Sequence, residues 1–182
     1  MIQRASVACL VMALCVLQGC ANVSPTLAHE ATADQSAGYV ALQSTHNTGV
    51  GMAFELTNVK TNQKYGLPLT NSAHSDATAE VVAIKMPPGN YRLTQWMAYG
   101  WLTPGLIGHQ DVTWPAFKEA FSVGAGQVIV LGGFLAKTSD TPRLQMSVTP
   151  SELTADEVKR SLSMAYPGLK GMPISCITCT SD

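Results

Sequence analysis

The sequence predicts a mainly β protein: an antiparallel β-sandwich of about seven or eight strands with one C-terminal helix. Three observations carry this. Short runs rich in β-branched and aromatic residues alternate with period two, turn-forming residues separate them, and no stretch of roughly ten residues between them has the helical period that a βαβ design needs.

The runs can be taken in order. Tyr39 to Leu42 is the first. After Thr45-His46-Asn47-Thr48-Gly49, Met52, Phe54 and Leu56 alternate as a half-buried strand does. Tyr65 to Leu69 contains a proline and suits a sheet edge. Val82, Ile84 and Met86 alternate and stop at Pro87-Pro88-Gly89-Asn90, where Pro88 presets a turn and Gly89 is free to take positive φ. Beyond it Tyr91, Leu93, Gln95, Met97 and Tyr99 are expected on one face, with Arg92, Thr94, Trp96 and Ala98 on the other. Phe117 to Val123, Val128 to Leu135 and Leu144 to Val148 complete the set. Thr154-Ala155-Asp156-Glu157 then has the form of a capping box, and Val158, Leu162 and Ala165 make a narrow apolar stripe that Pro167-Gly168 ends.

The chain has 182 residues and a formal net charge of −1. No clustered basic stripe marks a nucleic-acid groove. The N-terminus places Arg4 before an apolar run from Ala5 to Leu17, the arrangement of a secretory signal. Such a run rises about 20 Å as a helix, too short for the roughly 30 Å of a bilayer core. It ends in Leu17-Gln18-Gly19-Cys20, which resembles the lipobox of bacterial lipoproteins, with Gln18 where Ala or Ser is common. The resemblance implies cleavage after Gly19, a diacylglyceryl thioether on Cys20 and acylation, for instance by palmitate, of its new amine. Two or more acyl chains give stable anchoring where one does not. Ala21, not Asp, follows the cysteine, and by the same resemblance this favours the outer membrane. The expected layout is therefore a signal peptide at 1–19, a flexible Ala-, Thr- and Ser-rich tether at 20–37, a sandwich at 38–150 and a helix with a cysteine tail at 151–182.

Two further blocks bear on the fold. Ile84 to Leu93, centred on Pro88-Gly89-Asn90-Tyr91, resembles a turn of prealbumin-like and carboxypeptidase-regulatory-like sandwich domains, and Phe121 to Gly132 is similar to a strand, glycine turn and apolar strand found in many uncharacterised bacterial lipoproteins. This likeness implies a sandwich of prealbumin or immunoglobulin type and leaves function open.

Beyond the leader and Cys20, the cysteines are Cys176 and Cys179. Outside the cytoplasm they are expected to pair as a local staple for the tail. A redox pair would want the start of a helix, and zinc would need two more ligands. The sequence has no Gly-x-Ser-x-Gly, phosphate loop or His-Glu-x-x-His. His46, His74 and His109 are dispersed, and His74-Ser75-Asp76 is a run of neighbours in one loop, which does not make a triad. No catalytic group, metal or cofactor is therefore expected.

The stretch Tyr99 to Pro115 is long for a hairpin loop and rich in apolar residues. If exposed, Trp101, Leu106, Ile107 and Trp114 would form a contact surface over residues 100–116; if folded back, they would close one end of the sandwich. The chain is thus expected to be a non-enzymatic binding or structural lipoprotein of the cell envelope, facing the periplasm or the surface. Its partners would be the membrane and an envelope protein or cell-wall glycan. Alternatives are a periplasmic redox or metal-binding helper using Cys176 and Cys179, and glycan binding by Trp96, Trp101 and Trp114.

Overall fold

In the computed structural model, residues 23–47, 50–69, 79–99, 106–139 and 145–180 are described, the side chains of 47, 106 and 107 excepted. Cys20, Trp101, His74 and residues 1–19, the expected signal peptide, lie outside them. The described residues form two five-stranded sheets and one α-helix, the sandwich that the alternation predicts. Among the described residues there are ten strands: β1 (Gly38–Asn47), β2 (Gly51–Asn58), β3 (Lys64–Pro68), β4 (Ala79–Met86), β5 (Gly89–Tyr99), β6 (Leu106–Asp111), β7 (Phe121–Val123), β8 (Val128–Ser139), β9 (Gln145–Ser151) and β10 (Ile174–Cys176).

One sheet runs β3-β2-β5, with β6 and β7 sharing the far edge of β5. The other runs β4-β1-β8, with β9 and β10 sharing the far edge of β8. Most pairings are antiparallel, but β1 and β10 both pair with β8 in parallel. The two strands beyond the predicted set are β6, drawn from the supposed loop, and β10, drawn from the tail.

Between the sheets lies a core that includes Val40, Leu42, Phe54, Leu56, Ile84, Tyr91, Leu93, Leu131 and Phe134. A second core lies on the outer face of the β4-β1-β8 sheet. There α1 (Ala155–Ala165) and the turn after it lay Val158, Leu162, Tyr166 and Leu169 over Tyr39, Ala41, Ala83, Val128 and Val130. The capping box forms as the sequence predicts: the Glu157 amide donates to Thr154 Oγ1 at 3.3 Å, and the Thr154 amide donates to Glu157 Oε2 at 2.9 Å.

Two bulges decide which side chains reach the inner core. On β5 the register slips at Thr94, whose hydroxyl lies 3.0 Å from Glu55 Oε1 and 3.2 Å from the Glu55 carbonyl. Tyr91 and Leu93 point inward before the slip, and Trp96 and Ala98 after it. The strict alternation expected along β5 therefore breaks, and Trp96 is an interior residue. On β8, opposite Leu42, Gly132 takes φ +134°, and a Cβ there would run into the Thr178 side chain. This bulge keeps Ile129, Leu131, Phe134 and Ala136 on one face. Gly89 is different from its expectation: it is not in the left-handed region, and a Cβ on it would lie 2.9 Å from Asn58 Nδ2. Tyr91 re-enters the core as expected, with its hydroxyl donating to the Pro87 carbonyl at 2.6 Å.

Residues 23–37 do not behave as a free tether. Val23 bridges Gly66 of β3 in parallel, Thr26 bridges Ile84 of β4 antiparallel, the Ser24 amide donates to the Gly66 carbonyl at 2.8 Å, and the Leu27 amide to the Ala83 carbonyl at 2.7 Å. The segment thus lies along the edges of both sheets on one side of the sandwich. The Tyr166 hydroxyl takes up two more edge groups of β4, accepting from the Ala83 amide and donating to the Val81 carbonyl, each at 3.1 Å. Asp34 then pairs with Lys85 at 2.6 Å. Composition hid this docking because it depends on backbone groups, which polar residues supply as well as apolar ones.

Candidate functional site

The stretch between β5 and β7 is where the sequence places a contact surface, and its described part is largely structural. Leu106 and Ile107 belong to β6, which pairs with β5 from Gln95 to Tyr99. At the end of that connection Trp114 is partly buried and packs on the inner core. Its ring stacks on Phe134 (centroids 5.6 Å apart, planes at 24°) and meets Phe54 edge-on at 5.9 Å, with Phe117 at 6.1 Å. Pro115–Phe117 forms a 3₁₀ turn that buries Phe117 beneath it. Trp114 is therefore in the capping arrangement, closing the side of the sandwich opposite Val23–Leu27 with Met146 of β9.

Trp96 is 5% exposed within the same core and offers no platform for a sugar. The three tryptophans thus do not make one exposed aromatic surface.

Cys176 and Cys179 are bonded, with sulfurs 2.00 Å apart. Cys176 ends β10, and the hydrogen bonds from the Ile177 amide to the Val130 carbonyl (2.9 Å) and from the Thr178 hydroxyl to the Leu131 carbonyl (3.0 Å) carry the tail along β8. The pair sits on a strand and a turn, packed against the α1 core with Thr180 bridging the N-cap Thr154, and neither cysteine is itself at the start of a helix as a redox pair would want. It holds the tail as a staple would.

Among the described residues, His46 and His109 are not brought together. His46 is buried at the far end of β1, facing the inner core beside Ala136, while His109 is exposed on β6 of the other sheet. Among the described residues no group of three His, Cys, Asp or Glu lies close enough to hold a metal ion. Glu55, a carboxylate 8% exposed, is matched by Lys64 at 3.1 Å and the Thr94 hydroxyl at 3.0 Å.

The clearest charge perturbation is at the docked N-terminal segment. The Asp34 carboxyl is held far below the usual carboxylate range, first by its hydrogen bond with the Lys85 ammonium and then by the Ser36 hydroxyl and amide. Lys85 is raised in turn by Asp34. At the other side of β3, burial and the neighbouring Tyr91 raise the Tyr65 phenol.

Two grooves escape the sequence reading. One, of about 490 Å³, lies between α1 and the start of β4, lined by Leu27, His29, Gln43, Val81 and Met164. The other, of about 350 Å³, separates the β2–β3 turn from the β4–β5 turn and is lined by Val59, Lys60, Tyr65, Pro87 and Pro88. A sequence signal for the second existed: Val59 is an apolar residue at the head of the polar run Lys60-Thr61-Asn62-Gln63-Lys64.

No known family model matches the chain, and no curated protein matches it. Among solved structures, it is similar to part of a leucine-rich repeat protein from Bacteroides thetaiotaomicron VPI-5482, at 13% identity and TM-score 0.34, covering 54% of this chain and 13% of that one. It is also similar to part of the cytotoxin protein suilysin from Streptococcus suis, at 9% identity and TM-score 0.19, covering 64% of this chain and 24% of that one. The chain thus spans less than a quarter of the length of either protein, and at such TM-scores neither likeness bears on what it does.

Proposed function

We propose that this chain is a lipoprotein of the bacterial cell envelope, held to the outer membrane by lipid on Cys20, whose sandwich serves as a non-enzymatic binding or structural module. The observation that carries the reading is the sequence Leu17-Gln18-Gly19-Cys20 after a short apolar leader, with Val23, the first bridged residue among those described, three positions later. A lipid on Cys20 would therefore be joined almost directly to a folded body. The contact surface is narrower than residues 100–116. Trp114 serves the core, leaving Trp101, Leu106 and Ile107 as the candidates for meeting an envelope protein or a cell-wall glycan.

The anchor is tested by intact mass spectrometry of native protein and by fractionation of Cys20→Ser. A mature mass beginning at Cys20 with diacylglyceryl and acyl additions is expected, and the variant should leave the membrane fraction. An unmodified sulfur or a mature N-terminus elsewhere overturns the reading. The contact surface is tested by capture from detergent-solubilised envelopes with Trp101→Ala. Loss of a partner with unchanged thermal stability supports the surface, and undiminished capture removes Trp101 from it.

A further inference from the structure

We propose that the end of the sandwich formed by the β2–β3 and β4–β5 turns, with Val59 and Lys60 at its tip, rests on the headgroups of the membrane that holds the anchor. This rests on the Cys20 reading and adds an orientation to it.

The first argument is direction. Val23 runs parallel to β3, which starts at the β2–β3 turn, and Thr26 runs antiparallel to β4, which finishes at the β4–β5 turn. Both bridges say that the chain comes onto the seam from the end bearing those two turns. The second is reach. Ala21 and Asn22 alone separate Cys20 from Val23, so the two Cα atoms can be no more than about 11 Å apart. A domain about 30 Å across cannot turn over on so short a link.

The third is the surface that this end presents. Val59 is 49% exposed, one of two large hydrophobic side chains so exposed among the described residues. It is held there by structure. Its amide donates to the Asn90 carbonyl at 2.9 Å, which ties the two turns together, and Asn58 Oδ1 accepts from the Lys60 and Thr61 amides at 3.0 Å. Pro87 and Pro88 are exposed beside it. Lys60, Lys64, Lys85 and Arg92 are exposed at or near the same end. Lys64 and Lys85 are paired with Glu55 and Asp34, so Lys60 and Arg92 are the cations of this set that lie outside those pairs. An apolar tip among cations suits an interface of anionic headgroups and upper acyl chains.

The test uses the full lipidated chain with its disulfide intact, reconstituted in vesicles of phosphatidylethanolamine and phosphatidylglycerol. Val59→Cys and Gln145→Cys, the latter at the opposite end of the sandwich, are each labelled with bimane and exposed to lipids carrying a headgroup-level spin quencher. Quenching several-fold stronger at position 59 is expected. As a label-free measurement, amides 58–63 of the unsubstituted protein should exchange more slowly on vesicles than in detergent. Equal or reversed quenching, or unchanged exchange, on protein whose mass carries the anchor overturns the orientation alone. Absence of the lipid from that mass overturns the orientation and the anchoring together.

Discussion

Replacing Trp114 by alanine separates the two uses that an aromatic residue can have at this position. A large ring buries about 150–250 Å², worth about 4–6 kcal/mol at roughly 25 cal/mol per Å². Trp114 is only partly buried, and an unfolded chain already hides some of that area, so about 2–3 kcal/mol is the realistic share. Contacts with Phe134, Phe54 and Phe117 add about 1 kcal/mol beyond area. Trp114→Ala should therefore cost about 3–4 kcal/mol, within the range for removing a packed aromatic. In a chain of this size that lowers Tm by roughly 10 °C. Trp114→Phe, which keeps a ring against Phe134, should lose about half as much. Urea and thermal unfolding, followed by far-ultraviolet circular dichroism on the oxidised mature protein, give both numbers. A loss below about 1 kcal/mol for the alanine variant would mean that the ring does not hold the sheets together, and Trp114 would return to the list of free contact residues.

Three other outcomes can be checked. Gly132→Ala adds a side chain at φ +134° and against Thr178, so it should cost at least about 2 kcal/mol and speed hydrogen exchange in residues 174–180; wild-type exchange there would count against the bulge. Replacing Cys176 and Cys179 together by serine opens a loop of four residues, and should lower stability by no more than about 2 kcal/mol in denaturant titration. The Asp34–Lys85 pair makes docking of residues 23–37 sensitive to acid. Because the folded carboxyl is lowered from its unfolded value near about 3.9, its contribution is present above that pH and is lost as pH falls through the folded value. Both groups are exposed, so the effect should be small and weakened by salt. Protection of the 23–37 amides should decline with acid in the wild type and stay flat in Asp34→Asn; matching profiles would refute the role.

The elements with local signals were readable without coordinates. Met52, Phe54 and Leu56 alternate because they enter the inner core, although the small or polar residues between them, Ala53 and Glu55, are buried too and β2 is not the half-buried strand expected; Thr154 with Glu157 announces α1 through groups three residues apart. What escaped depends on partners distant in the chain. The slip at Thr94 turns Trp96 inward, and no period-two pattern contains it. β6 and β10 are strands because β5 and β8 have free edges to offer them. Residues 23–37 read as linker because their docking uses main-chain amides and carbonyls. Of the candidate site, the Cys176–Cys179 pairing was legible from count and spacing, whereas the fate of Trp114 turned on Phe134 and Phe54, far away in sequence.

The strip from Val23 to Leu27 also governs how the polypeptide can be handled and how it matures. Its hydrogen-bonding rows on β3 and β4 are templates for any extended peptide once the strip is gone. A shortened protein beginning at Gly38 would keep both cores yet recruit neighbouring molecules by strand donation, visible as higher oligomers in light scattering. In synthesis the strip is made well before Gly66 and Ile84, so the newborn chain passes through a sticky interval that ends only when Val23 to Leu27 folds back onto those edges.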